Sequence, residues 1–99
     1  GVKKTRIDKI DYPLVTIAAL KKEEQIRVAV SGLCAFPFRW KPLEDELNNP
    51  TLDLSERVKN TLYHLPAPIL SDIHASAEYR GFVFTDTLLK VVQELNRVV

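Results

Sequence analysis

The sequence predicts an α+β fold, a two-layer sandwich in which a three-stranded antiparallel sheet is followed by three helices. Residues 14–20 and 26–33 are rich in β-branched residues, helix-start signals occupy residues 42–56, and the last quarter repeats apolar residues at helical spacing. Because the strands precede the helices instead of alternating with them, the helices are expected to collect on one face of the sheet. The 99 residues should form one domain, residues 1–99, with a single core.

A hairpin opens the predicted sheet. The segment LVTIAAL, residues 14–20, is β-branched, and IRVAVSGL, residues 26–33, alternates aliphatic with polar or small side chains. The polar residues 21–25 between them suit a short antiparallel connection. A third short strand is expected through CAFPFRW, residues 34–40, where Pro37 has to lie at an edge or a bulge because it cannot donate a ladder hydrogen bond.

Two short helices are predicted after the strands. Pro42 suits the first position of a helix over PLEDELN, residues 42–48, because its missing N–H needs no partner there. Asp53 is expected to cap the second helix, with Glu56 three residues later as in a capping box. Pro66 closes that helix. Its apolar face comprises Leu54, Val58, Leu62 and Leu65.

A long final helix is the clearest element of the pattern. It is expected to begin near Ser76 or Ala77 and to continue almost to Val99. A polar stripe at i,i+4 spacing lies opposite an apolar seam that should pack on the sheet. The stripe comprises Asp86, Lys90 and Glu94, and the seam comprises Phe82, Leu89, Val92 and Leu95.

Composition excludes several classes of protein. The 14 basic and 13 acidic residues give a net charge of +1, too small to attract nucleic acid or an anionic membrane. The single Cys34 excludes an internal disulfide and is typical of the cytoplasm, and the two distant histidines make a metal site unexpected. No apolar run approaches the roughly 20 residues that cross a bilayer. The missing methionine and the initial Gly1 indicate a piece of a longer polypeptide.

The segment DIHASAEYRG, residues 72–81, concentrates polar side chains just before the final helix. A nucleophilic triad of Asp72, His74 and Ser76 is disfavoured, because triads are normally assembled from distant parts of the chain and no glycine elbow precedes the serine. A docking role explains more. Ser76 can accept hydrogen bonds from the first helical turn, and the helix dipole stabilises Glu78 there.

The same segment supplies two larger side chains. Tyr79 is expected to bury its ring while its hydroxyl reaches a polar partner, and Arg80 is expected to bridge to an acidic group on a neighbouring surface. His64 is interpreted as a helix C-terminal residue, and Cys34 as a small buried hydrophobe. No catalytic residue is therefore predicted. The predicted interdomain or structural residues are Asp72, Ser76, Glu78, Tyr79 and Arg80.

Three segments resemble one protein family. Residues 72–81 and the helix after them are similar to the D-x-R-A-S-A-E-Y-R signature in the flavin-binding (medium) subunits of molybdenum hydroxylases, which include xanthine dehydrogenase and carbon monoxide dehydrogenase. His74 stands where the family usually has Arg. SGLCAFPFR, residues 31–39, resembles the G-x-x-x-x-P-x-R strand of that family. KTRIDKIDYPLVTIAAL, from Lys4, resembles its leading K-x-R segment and first strand.

The resemblance implies the C-terminal domain of an FAD-binding oxidoreductase subunit, packed against a larger flavin-binding domain. The iron–sulfur and molybdenum subunits of the parent enzyme are the implied partners, and electrons pass from the iron–sulfur clusters through FAD to an acceptor. FAD belongs to the full-length subunit and is not expected to bind this chain alone. In the family a lysine of the leading segment approaches the flavin. Lys4 is the matching residue, and Lys3 is the alternative register.

A second interpretation comes from a different class of protein. The chain could be a free-standing α+β protein-interaction module without a redox role, docking a partner through Phe36, Phe38 and Trp40. The encoding reading frame distinguishes the two interpretations. A flavin-binding domain upstream favours the first, and an initiator codon just before Val2 favours the second.

Overall fold

The structure is a computed structural model that describes the backbone of residues 6–11 and all of residues 14–97. Strands come first and helices afterwards, which confirms the predicted α+β class. The elements are β1 (Arg6–Asp11), β2 (Thr16–Lys22), β3 (Gln25–Ser31), α1 (Lys41–Leu47), α2 (Leu54–Asn60), which runs on into a 3₁₀ turn (Thr61–Tyr63), and α3 (Ala77–Asn96).

The strands form an antiparallel sheet in the order β1-β2-β3. β2 and β3 pair up to Lys22 opposite Gln25, so only Glu23 and Glu24 connect them. Both connecting residues have positive φ, 52° and 66°, as the type I′ turns of two-residue hairpins require. The predicted hairpin is confirmed, with strands that reach closer to the turn than the sequence pattern indicated.

The strand predicted at residues 34–40 is wrong. Cys34 and Phe38 form only isolated bridges, to Ile69 and Val30 respectively. The chain leaves the ladder at Gly32, whose φ of +86° turns the backbone away, and Pro37 has no N–H with which to resume it. The third strand of the sheet is β1, in a segment for which no strand was predicted.

One face of the sheet is buried beneath the helices. Inward positions alternate along β2 and β3, and α3 packs across β1 and β2 while α1 contacts β3. α2 packs against both α1 and α3. The helices of the described residues therefore all lie on one side of the sheet. Its buried contribution to the core comprises Ile17, Ala19, Ile26, Val28 and Val30.

The buried side of α3 differs from the predicted seam. Phe82 is 66% exposed, whereas Phe84 is fully buried. Each residue advances a helix by about 100°, so these two side chains lie on nearly opposite sides. Val92 and Leu95 are buried as expected, and Leu89 is partly buried. The actual stripe is Phe84, Leu88, Val91, Val92 and Leu95.

The predicted helix starts are confirmed to within a residue. Asp53 caps α2 by accepting a hydrogen bond from the Glu56 amide at 2.9 Å, and α1 carries Pro42 in its first turn. α3 begins at Ala77 with Ser76 as its cap. It ends at Asn96, close to the predicted end near Val99.

Candidate functional site

The polar residues before α3 seat that helix on the sheet. The Arg80 side chain is buried, and its Nη1 donates to the Gly32 carbonyl oxygen at 2.9 Å, 48 residues away in the chain. Its Nη2 donates to both carboxylate oxygens of Asp72, at 3.0 and 3.1 Å. The Ser76 hydroxyl accepts from the Tyr79 amide at 3.1 Å. We call Asp72, Ser76, Arg80 and the Gly32 carbonyl the collar.

Asp72 is held in its position by the backbone as well as by Arg80. Its Oδ1 accepts hydrogen bonds from the amides of His74 at 2.9 Å and Ala75 at 3.2 Å. The hydrogen bond from the His74 amide, followed by that from the Arg80 guanidinium, holds the pKa of the Asp72 carboxyl below its usual value. A buried guanidinium requires such a charged partner, because an uncompensated buried charge is strongly destabilising. The collar thus holds the start of α3 against the Gly32 carbonyl and Asp72 of the same chain.

The collar corrects two expectations about individual side chains. Arg80 pairs with Asp72 of its own chain, not with an acidic group on a neighbouring surface. The ring of Tyr79 is not buried, since the residue is 54% exposed. Glu78 lies in the first turn of α3 and is exposed. His74 contributes its backbone amide, not its imidazole, to Asp72.

Asp72, His74 and Ser76 do not have the contacts of a nucleophilic triad. The Asp72 carboxylate is occupied by Arg80 and by two backbone amides, and the Ser76 hydroxyl caps α3. A triad needs the carboxylate to orient the imidazole and the imidazole to activate the serine. The expectation of a docking element, not a nucleophile, is therefore the one that the geometry favours. Lys4, the predicted flavin contact, lies outside the described residues.

A second cluster, which sequence reasoning missed, covers the free edge of β3. Asn48, the C-cap residue that follows α1, accepts from the Ile26 amide at 2.9 Å and donates to the Ile26 carbonyl at 3.0 Å. One turn earlier, Glu44 accepts from the Val28 amide at 2.9 Å, and Phe38 exchanges two backbone bonds of 2.9 Å with Val30. Side chains of α1 and of its C-cap residue thus form hydrogen bonds with backbone groups of β3 that a fourth strand would otherwise make.

Glu44 also holds Arg39, a residue of the segment that resembles the G-x-x-x-x-P-x-R strand. Arg39 Nε and Nη2 donate to the two carboxylate oxygens of Glu44, at 3.1 and 2.9 Å. This bidentate pair raises the pKa of Arg39. The i,i+4 spacing of Glu44 and Asn48 was the available signal for this cluster, since it puts both side chains on one face of α1.

The opposite face of the sheet is not covered by α1, α2 or α3. The outward positions of β2 and β3 alternate with the core positions. Two shallow depressions, of about 410 and 290 Å³, lie over this face and share the residues Ala18, Ala29 and Arg39. We call the outward positions of the two strands the open face: Thr16, Ala18, Leu20, Lys22, Gln25, Arg27, Ala29 and Ser31.

Four other residues singled out in the sequence differ in their burial and contacts. Cys34 is buried, its thiol donates to the Ala67 carbonyl at 3.4 Å, and burial raises its pKa. His64 Nε2 lies 3.4 Å from a carboxylate oxygen of Glu46. Phe36 and Trp40 are partly exposed, at 46% and 39%. The thiol is therefore a core group, as expected.

Two further classes of site are absent from residues 6–11 and 14–97. No group of three or more His, Cys, Asp or Glu residues there could hold a metal ion. None of the helices in this part of the chain combines the length and the apolar character needed to cross a membrane.

Comparison with known proteins found no matching family model, no matching curated protein and no matching solved structure.

Proposed function

We propose that this chain is the C-terminal domain of the FAD-binding subunit of a molybdenum hydroxylase, as the resemblance of its three segments implies. In this role it packs against the flavin-binding domain and forms one rim of the flavin site. Electrons pass in such an enzyme from iron–sulfur clusters to FAD and then to an outside acceptor. The chain itself supplies packing and electrostatics, and no acid, base or nucleophile.

The collar is the observation that carries the proposal. The signature-like residues 72–80 are used to seat α3, through Ser76 as its cap and through Arg80 bridging Asp72 and Gly32. Residues used in this way contribute packing, which supports a role as a supporting domain. The strand-then-helix order, with helices on one side of the sheet, agrees with the three-stranded, three-helix domain that the resemblance implies.

Lys4 is the residue of this chain proposed to approach the flavin. A lysine ammonium near the isoalloxazine favours the reduced, anionic flavin through its positive charge. Lys4→Gln in the full-length subunit should therefore make the flavin reduction potential more negative, while Lys3→Gln leaves it nearly unchanged. If the flavin reduction potential changes in the Lys3→Gln variant and not in the Lys4→Gln variant, Lys3 is the residue that approaches the flavin.

Titration with FAD tests the proposal directly. The isolated chain should not bind FAD stoichiometrically, measured by quenching of flavin fluorescence, whereas the polypeptide with its upstream flavin-binding domain should bind one FAD. Tight binding by the isolated chain would mean that the cofactor site has been misassigned. An initiator codon just before Val2, with no flavin-binding domain upstream, would also overturn the proposal.

The partly exposed aromatic residues favour the second candidate, a free-standing interaction module. Phe36 and Phe38 pack edge to face with their ring centroids 6.5 Å apart, and Phe36 and Trp40 remain partly exposed. In that case Phe36→Ser or Trp40→Ser should abolish partner binding while the free energy of unfolding changes little. The reading frame upstream of Val2 decides between the two candidates.

A further inference from the structure

The eight positions of the open face carry two cations and no acidic residue. In the register of the sheet, β1 adds one residue of each charge next to them, Lys9 opposite Ala18 and Asp11 opposite Thr16. Lys22 and Arg27 both point outward from the hairpin, and neither makes an ion pair with any described residue.

Several other exposed cations have acidic partners: Lys41 pairs with Asp45, and Arg97 pairs with Glu94. Lys59 on α2 is a further exposed cation that makes no ion pair with a described residue, and the open face differs from it in carrying two such cations on one surface.

The side chains between these charges are unusually small for a solvated strand surface. Ala18 and Ala29 lie directly opposite each other in the register and form the shared floor of the two depressions. Alanine is depleted from strands, because the pleated surface favours β-branched and aromatic side chains that cover it. Small side chains at this pair allow another protein surface to approach the sheet closely. Leu20, half-buried on the same face, adds apolar area.

A second exposed apolar cluster, at the start of α3, lacks this combination. Ile73, Tyr79 and Phe82 are 96%, 54% and 66% exposed. The nearby charged groups Asp72 and Arg80 are already paired with each other. The exposed Glu78 lies beside that cluster, so the charge there is negative and would repel an acidic partner surface, whereas the open face combines small side chains with positive charge.

We infer that the open face docks an acidic surface of the flavin-binding domain, with a carboxylate of that domain opposite Arg27. The inference rests on the proposed function, because the flavin-binding domain is the partner that it names. The small side chains of Ala18 and Ala29 allow the flavin-binding domain to approach the sheet closely. Arg27 and Lys22 supply the positive charge that attracts its carboxylates. Complementary charge of this kind fixes the register and orientation of an interface more than its affinity.

Thiol labelling in the full-length polypeptide tests this docking surface. Cys34 is the only native cysteine of the chain and is buried, so an introduced cysteine can be followed separately by mass spectrometry of its peptide. Three variants are compared: Ala29→Cys on the open face, Lys59→Cys on the exposed side of α2, and Glu78→Cys beside the apolar cluster of α3. Each is labelled with a maleimide in the isolated chain and in the full-length polypeptide.

We expect all three cysteines to react at similar rates in the isolated chain. In the full-length polypeptide the Ala29→Cys variant should react at least about tenfold more slowly, and the Lys59→Cys variant should be unchanged. Free labelling of Ala29→Cys in the full-length polypeptide overturns the inference, as does protection of Glu78→Cys instead. Protection in the isolated chain that grows with its concentration also overturns it, because a second copy would then be the occupant.

Charge reversal tests the electrostatic part of the inference. Arg27→Glu combined with Ala29→Cys should restore fast labelling in the full-length polypeptide, whereas Lys59→Glu with Ala29→Cys should stay protected. Unchanged protection in the Arg27→Glu variant would contradict an acidic partner surface. The result is separable from the proposed function: if FAD binds while Ala29→Cys labels freely, only the docking inference fails. If the adjoining domain binds no FAD, the proposed function fails whatever the labelling shows.

Discussion

Two glycines show how differently the same residue type can be used in this molecule. Gly32 has a φ of +86°, and a Cβ added there would lie 1.9 Å from the Leu14 carbonyl oxygen. Its own carbonyl accepts from Arg80, so its conformation also positions the collar. Gly81 is inside α3, where an added Cβ would meet the side chains of Ile69 and Leu62 at ordinary distances of 3.5 and 3.9 Å.

The two alanine substitutions should therefore have opposite effects. Gly32→Ala should lower the free energy of unfolding by at least about 2 kcal/mol, because a strained backbone and a clash with another backbone act together. Gly81→Ala should raise it by about 0.5–1 kcal/mol, because alanine is the better helix former. Urea unfolding followed by circular dichroism measures both. A neutral Gly32→Ala would mean that the Leu14 segment moves aside at little cost.

The collar should make stability depend on pH in the acid range. The pKa of Asp72 is lower in the folded chain than its unfolded value of about 3.9. Its contribution to stability is therefore complete above the unfolded pKa and is lost as the pH falls through the folded pKa. Asp72→Asn should flatten this part of the curve of urea midpoint against pH.

His74→Ala is the matched control for that measurement. The hydrogen bond from residue 74 to Asp72 comes from the backbone amide, so removal of the imidazole should leave the acid dependence in place. A loss of acid dependence in His74→Ala as large as in Asp72→Asn would contradict the assignment of the pKa shift to Asp72 and its backbone partners.

At the level of elements, α1 acts as a cover for the edge of the sheet. Unpaired edge strands invite pairing with other chains, and the β3 edge is covered at Ile26, Val28 and Val30 by Asn48, Glu44 and Phe38 in turn. The amphipathic pattern that defines α1 in the sequence does not reveal this role. It depends on where the helix lies relative to β3.

Asn48→Ala should expose that edge. The Ile26 amide and carbonyl would lose their partner, at a cost of about 1–3 kcal/mol in the free energy of unfolding. Asn49→Ala removes only hydrogen bonds to the neighbouring Thr51 and should cost much less. Urea unfolding gives the two values, and light scattering should detect association of the Asn48→Ala variant alone. Equal costs would show that water replaces the Asn48 amide without penalty.

On the scale of the whole molecule, the sheet and the helices share one core. Buried residues from β2 and β3, from α1 and α2 and from α3 form a single cluster. Cys34 belongs to it, in the loop that joins the strands to the helices. A core of this kind is expected to open in one cooperative transition, as is usual for small domains.

The Cys34 thiol should report that transition. Because it is buried and its pKa is raised, it should react with a maleimide at least about 10³-fold more slowly in buffer than in concentrated urea, since reaction requires opening of the core. Destabilising variants such as Gly32→Ala should speed the reaction in proportion to their loss of stability. Rapid labelling of the native chain would instead indicate local opening of the loop after Gly32.

The features that the sequence determined by itself are those whose causes are local. Ser76 and Asp53 cap helices through amides three residues ahead, and the strand patterns before and after residues 21–25 pair as an antiparallel hairpin, although its turn at Glu23 and Glu24 is tighter than the pattern indicated. Such contacts depend on side chains and backbone groups within one turn of chain, so the residue types are sufficient to predict them. The order of strands and helices was also predictable from local sequence, because apolar residues alternate in the strands and recur every three or four residues in the helices.

Only the tertiary structure decided which groups meet across the chain. Arg80 donates a hydrogen bond to the Gly32 carbonyl, 48 residues away in the chain, and Asn48 bonds to the edge of β3. On α3, Phe84 is buried and Phe82 is exposed. Both phenylalanines fit an apolar helix pattern, and packing against the sheet selects between them. The open face belongs to the same class of feature, because a strand's outward side is defined only once helices have covered the other.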